Sequence, residues 1–235
     1  MKNIKNLIKR NKLIFLLFLN IFRRNAGFHS DQMIMKILKE ISRFFQITSF
    51  VETGTYRGDS SFIMTRNFPK LSIYTCEITE EFFEIAKERL RNYPKIRVFH
   101  QSSEKFLNNL PTEKTGLFPL FFLDAHWYDY WPLKEELKII NLKFNQAIII
   151  IDDFQVPGRE DFSYDVENGN LICNFDYIKD CFQKEKKLDL LYPNYSKKES
   201  GTKKLCGYII IFKNLKELFQ EFIKNPWIEN NFKRF

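Results

Sequence analysis

The sequence predicts an α/β fold built on a doubly wound, mostly parallel sheet, because short apolar runs alternate with amphipathic stretches of helical period from residue 47 onward. The runs are apolar almost throughout, as strands buried on both faces require. Near Asp153 the alternation stops, and two strand-like runs separated by a polar stretch predict an antiparallel pair that closes the sheet.

The parallel strands are expected over 47–51, 71–76, 96–100, 117–123 and 147–151, with helices over 31–45, 60–66, 79–91, 103–109 and 133–142. Thr79 followed by Phe82, Phe83, Ala86 and Leu90 gives a capped helix with one apolar face. Beyond Asp153, a polar loop over 155–170 precedes a helix near 175–183, and strands over 188–192 and 206–212 form the terminal pair. A chain of 235 residues, 44% hydrophobic, fits one catalytic-size domain, here 31–235, behind a basic and apolar amino-terminal segment, 1–30.

The net charge of +8 is concentrated in that segment. Lys2, Lys5, Lys9, Arg10, Lys12, Arg23 and Arg24 precede any acid, and the 30 remaining basic residues face 29 acids. A nearly neutral domain does not carry the footprint of a nucleic-acid binder, so no nucleic-acid partner is expected. The apolar run from Leu13 is too short to span a bilayer. It reads as a helix packed on the domain or on a second subunit, as a peripheral anchor on an anionic membrane surface through residues 1–24, or as a secretory signal lacking a clear cleavage site. Cys76, Cys173, Cys181 and Cys206 form no Cys-x-x-Cys pair, consistent with reduced thiols in the cytoplasm. His29, His100 and His126 are too dispersed for a histidine-rich metal site, so any metal is expected to be held by oxygen.

Ligands of doubly wound sheets bind beyond the carboxyl ends of the strands. Glu52, Glu77, Asp124 and the pair Asp152-Asp153 end strands one, two, four and five. One such acid is ordinarily a helix cap or a solvated turn; five in register across four strands read as a site. The turn Glu52-Thr53-Gly54-Thr55-Tyr56-Arg57-Gly58 has glycines where the backbone passes close to a ligand, but lacks the Gly-x-Gly-x-x-Gly of dinucleotide enzymes, which argues against NAD or FAD. Glu77 follows strand two, where a carboxylate accepts both hydroxyls of a ribose, or alternatively caps the helix that Thr79 opens.

These residues resemble the class I S-adenosylmethionine-dependent methyltransferases from about residue 47 to 212. The likeness runs through Phe50-Val51-Glu52-Thr53-Gly54-Thr55-Tyr56-Arg57-Gly58, Glu77, Gln101-Ser102-Ser103-Glu104, Phe121-Phe122-Leu123-Asp124-Ala125-His126-Trp127 and Ile150-Ile151-Asp152-Asp153-Phe154. The resemblance implies a seven-stranded Rossmann-like sheet with a C-terminal antiparallel strand pair. It also implies that Glu52, Gly54, Thr55 and Gly58 surround the methionine part of S-adenosylmethionine, with Asp124 beside it, Glu77 at the ribose, and Ser102 and Ser103 at the adenine edge. Within the family, Asp124 with Asp152 and Asp153 is similar to the metal-dependent, macrocin-type O-methyltransferases, which implies that these three hold a divalent ion. Such an oxygen-rich set suits Mg²⁺. Ala125-His126-Trp127 departs from the usual small and acidic residues after the first metal acid.

Methyl transfer from a sulfonium is an in-line displacement, so the protein chiefly aligns its reactants. Besides Asp124, the catalytic candidate is His126, a base whose ordinary pKa lies nearest neutrality; its alternative is a histidine hydrogen-bonded within its loop. Trp127, Tyr128, Tyr130 and Trp131 either stack on an acceptor or pack the helix behind Pro132. The segment 157–170 is a candidate lid. The expected activity is O-methylation of a sugar, glycan or other small-molecule hydroxyl, with homo-oligomerisation left open. The alternatives are a non-catalytic protein of the same fold docking through its amino-terminal helix, and another nucleotide-using α/β enzyme.

Overall fold

The computed structural model describes residues 19, 21, 26–126, 130–167, 169–182 and 188–234. The first helix, α1 (Gln32–Phe44), starts at Asp31, whose carboxylate accepts the Met33 backbone N–H at 2.7 Å and the Tyr195 hydroxyl at 2.6 Å. Met33, Ile34, Ile37, Leu38 and Ile41 make its buried face. The alternation then runs β1 (Ser49–Thr53), α2 (Asp59–Asn67), β2 (Ser72–Glu77), α3 (Glu80–Leu90), β3 (Ile96–His100), α4 (Ser103–Asn109), β4 (Leu120–Leu123), α5 (Leu133–Lys143) and β5 (Ala147–Ile151). β4 starts three residues later than expected, because Leu117 is exposed and Pro119 has no N–H to give a ladder.

The remainder holds three two-residue strands, β6 (Phe162–Ser163), β7 (Val166–Glu167) and β8 (Leu171–Ile172), then α6 (Phe175–Ile178), β9 (Asp189–Pro193), α7 (Lys197–Ser200) and β10 (Leu205–Cys206). β11 (Ile209–Lys213), α8 (Lys216–Phe222), α9 (Pro226–Asn231) and β12 (Phe232–Arg234) complete it. The strand order of the main sheet is β12-β9-β11-β5-β4-β1-β2-β3. β1 to β5 are parallel, and β11 lies antiparallel between β5 and β9, which is the terminal pair expected from sequence.

Two details correct the expectation of seven strands. An eighth, β12, pairs antiparallel with β9 through Phe232 opposite Pro193 and Lys233 opposite Tyr192. The strand expected over 206–212 is divided: Leu205 and Cys206 leave the sheet to pair with β6, and only Ile209–Lys213 joins β5. Gly207 marks the break. Its N–H donates to the Ser163 carbonyl, its carbonyl accepts from Phe154, and a Cβ there would overlap the Phe154 carbonyl.

β5 is buried along its whole length, and Ile148, Ile149, Ile150, Ile210 and Ile211 are solvent-free at the centre of the core. β1 and β4 are neighbours, while the chain between them goes out to β2 and β3 and returns. That reversal opens a crevice beyond the carboxyl ends of β1 and β4, and places the end of every acid-bearing strand around it. Among the described residues no helix is long and apolar enough to cross a membrane. Of the amino-terminal segment, Leu19 is buried and its carbonyl accepts from Arg89 Nη2 at 3.3 Å, while Ile21 is exposed; the rest of 1–24 lies outside the described residues.

Candidate active site

The glycine turn is closed by its own backbone. Gly54 and Thr55 both donate to the Cys76 carbonyl, at 3.1 and 3.0 Å, and Asp124 donates to the Thr53 carbonyl at 3.2 Å. Gly54 has φ +84°, and a Cβ on it would stand 2.6 Å from the Asp124 carbonyl oxygen, so the ends of β1 and β4 meet only because this residue has no side chain. Gly58, at φ +76°, turns the chain into α2 with its bare face against Leu90 and Ala86 of α3. Between the two glycines, Tyr56 takes φ +48° and points its N–H at Glu77 Oε2, 2.8 Å away. The Thr79 N–H donates to Oε1 at the same distance, and the buried Glu77 carboxylate is thereby held by two amides at the end of β2.

A cleft of about 430 Å³ opens here, within the range of small-molecule sites. Gly54, Tyr56, Glu77, Thr79 and Phe82 form one wall; Asp124, Ala125, His126, Asp153 and His29 form the other. Other sequence-named cofactor residues stand behind that lining. Glu52 is buried, accepts from the Ser61 and Thr75 hydroxyls at 2.7 Å each, and is pushed up to about 7 by burial. Thr55 meets the Thr75 hydroxyl, Ser102 caps α4, and Ser103 is buried beside Glu136. Glu52, Thr55 and Gly58 therefore set the shape of the turn, and neither Ser102 nor Ser103 lines the cleft.

At the ends of β4 and β5, Asp124, Asp152 and Asp153 each offer a carboxylate oxygen within 4.8 Å of the others. Burial, then the charges of Asp152 and Asp153, push the Asp124 carboxyl well above the ordinary carboxylate range. Asp153 is raised to about 6, again by burial first and Asp152 second. Asp153 sits at φ +45°, with its carbonyl tied to the Asp165 N–H at 2.8 Å. Three crowded carboxylates that disfavour one another's charge are a donor set a hard dication would satisfy, so the residues present fit such an ion.

His29 was not expected here. No local pattern marks it, and Asp152 is 123 residues away, yet its Nε2 lies 2.9 Å from Asp152 Oδ2. Burial works against charge on the imidazole, but hydrogen bonds to Asp152 and Cys206 and the charges of Asp152 and Asp153 prevail, and its pKa is pushed up to about 12. His126 is half-exposed with Nδ1 3.9 Å from Asp165 Oδ2. Of the aromatic cluster, Trp131 stacks on Tyr177 at 4.6 Å, while the exposed Tyr130 donates to Glu104 at 2.6 Å; Trp127 and Tyr128 lie outside the described residues. The loop expected as a lid is laced by the β6–β10 and β7–β8 pairs.

A second cavity of about 560 Å³ adjoins the first across His29 and Asp153, and is lined by Ser163, Tyr164, Asp165, Thr202, Lys203 and Lys204 among others.

Comparison with known proteins agrees with this geometry. A family model described as O-methyltransferase matches residues 25–160, which contain the glycine turn, Glu52, Glu77, Asp124, Asp152 and Asp153. Among solved structures, a provisionally assigned caffeoyl-CoA O-methyltransferase from Staphylococcus aureus aligns over 91% of this chain and 98% of its own, with TM-score 0.57 and 17% identity. An O-methyltransferase from Bacillus cereus, solved with S-adenosylhomocysteine, aligns over 87% and 91%, with TM-score 0.56 and 17% identity. TomG of Streptomyces achromogenes, an O-methyltransferase of tomaymycin synthesis solved with S-adenosylmethionine, aligns over 76% and 78%, with TM-score 0.53 and 19% identity. No curated protein matches the chain. Identities this low speak for the fold, and the family model speaks for the chemistry: the chain belongs to the O-methyltransferase family and is a class I S-adenosylmethionine-dependent methyltransferase.

Proposed function

We propose that this enzyme transfers the methyl group of S-adenosylmethionine to a hydroxyl of a small polar molecule or glycan, with a divalent cation held by Asp124, Asp152 and Asp153. The observation that carries the reading is the convergence of those three carboxylates, two of which, Asp124 and Asp153, line the cleft together with Glu77. A bound divalent cation supplies Lewis acidity, which lowers the pKa of an acceptor hydroxyl. Glu77, fixed by the Tyr56 and Thr79 amides, presents its remaining lone pairs to the ribose hydroxyls of the donor. Gly54 lets the turn approach the methionine part, and Phe82 gives the cleft an apolar wall. His126 takes the acceptor proton at Nε2, since its Nδ1 faces Asp165. The neighbouring cavity supports a sugar-like acceptor over a flat apolar one, because hydroxyl, carboxylate and ammonium groups line much of it.

Calorimetry with S-adenosylhomocysteine tests the donor site, and absence of binding at millimolar ligand overturns it. For the cation, Asp152→Ala and Asp153→Ala are expected to abolish divalent-dependent methyl transfer; full activity of the wild type in chelator removes that part of the reading.

A further inference from the structure

His29 is the group at this site that the methyl-transfer reading leaves unused. Phe28, His29 and Ser30 take successive left-handed φ values of 53°, 53° and 62°, a run costly for residues with a Cβ. The surroundings enforce it. The Phe28 ring packs edge-on against Phe122 and Phe50, at 4.9 and 6.3 Å between centroids. A Cβ on Gly27 would come within 2.8 Å of the Asp59–Ser60 backbone, and the Asp31 N–H closes the turn onto the Phe28 carbonyl at 2.9 Å. A turn constrained at both ends delivers its imidazole to one place.

That place lies among the acids. Nε2 is 2.9 Å from Asp152 Oδ2 and 3.9 Å from Asp153 Oδ1. Two donors each about 2.1 Å from one ion and at right angles stand about 3.0 Å apart, so the shorter spacing suits adjacent ligands of a single cation, and the longer one a wider angle at it. Asp153 belongs both to the carboxylate triad and to a group with His29 and Cys206, whose donor atoms also lie within 4.8 Å of one another. Carboxylates alone suit Mg²⁺. An added imidazole moves the preference towards borderline ions.

We propose that His29 is the fourth protein ligand of the divalent-cation centre, so that the site takes a first-row transition-metal ion such as Mn²⁺ or Co²⁺ in preference to Mg²⁺. The inference rests on the metal-assisted reading above.

The test uses the full chain stripped with chelator, titrated calorimetrically with Mg²⁺, Mn²⁺ and Co²⁺, and electron spin-echo modulation of the Mn²⁺-loaded protein to detect directly bound nitrogen. Mn²⁺ and Co²⁺ are expected to bind at least roughly tenfold more tightly than Mg²⁺. The nitrogen coupling is expected to vanish in His29→Gly, which keeps the left-handed backbone, and to return when free imidazole is added. Mn²⁺ binding without nitrogen coupling, or His29→Gly binding metal as well as the wild type does, overturns the inference and leaves the metal-assisted reading standing. Tighter binding by His29→Gly also overturns it, and marks the imidazolium as a resident cation that competes with the metal. If the wild type binds none of the three ions better than Asp152→Asn does, both readings fall.

Discussion

Glu77 accepts the backbone N–H of Tyr56 through one carboxylate oxygen and that of Thr79 through the other, each at 2.8 Å, which ties the glycine turn to the end of β2. One side chain thus sets the turn and faces the cleft. Glu77→Gln keeps the volume but offers an amide N–H where an acceptor is needed. Affinity for S-adenosylhomocysteine is expected to fall roughly 10- to 100-fold, the worth of a charge-assisted hydrogen bond. Unchanged affinity in calorimetry would remove Glu77 from the donor site.

Gly54 and Gly158 both have positive φ, +84° and +70°, but only Gly54 presses on other backbone. Gly158→Ala carries the conformational cost alone, about 1–2 kcal/mol. Gly54→Ala adds a collision with the Asp124 carbonyl and is expected to cost more, with loss of cofactor binding. Equal losses in denaturant melts would show that the close approach of β1 to β4 does not constrain this position.

Arg89 is buried with Nη1 at 2.6 Å from Asp59 and 2.9 Å from the Arg57 carbonyl, and its guanidinium lies over the Phe62 ring at 4.8 Å. Arg89→Met leaves the Asp59 charge in a site built around a cation, at a cost of about 3–5 kcal/mol. Adding Asp59→Asn is expected to recover part of that loss, and a fully additive double mutant would argue against direct coupling.

Glu136 is fully buried on α5, and burial pushes its pKa from 4.5 to about 7. Between those values the folded protein keeps a proton that the unfolded chain releases, so the contribution of this group to stability is complete below about pH 4.5 and falls as pH rises to about 7. Glu136→Gln removes the slope. Its stability relative to wild type is expected to improve by about 3 kcal/mol between pH 4 and pH 8. Parallel stability curves would contradict the shift.

Elements with a strong local signature were readable before the structure. The isoleucine run of β5 and the single apolar face of α1 each carry a period that requires no distant partner, and α3 starts after Thr79 as its apolar spacing predicts, although the Thr79 side chain makes no capping hydrogen bond. Where the signal was non-local, reading failed. β12 is three residues, Phe-Lys-Arg, and becomes a strand only because β9 offers an open edge. The break at Gly207 depends on the Phe154 carbonyl, which belongs to a distant loop. Ser102 and Ser103 follow β3 as the family pattern requires, but one caps α4 and the other is its buried first residue.

The sequence by itself determined the sheet, its acid-tipped strands and the glycine turn, because periodicity and strand-end position are properties of short stretches of chain. Only the tertiary structure decided that Glu77, Asp124 and Asp153 share one cleft while Glu52 and Thr55 stand behind it, and that an imidazole stands beside the carboxylates. His29 reaches Asp152 through a left-handed turn held by Phe50, Phe122 and the backbone of α2, contacts that exist only once the chain is packed.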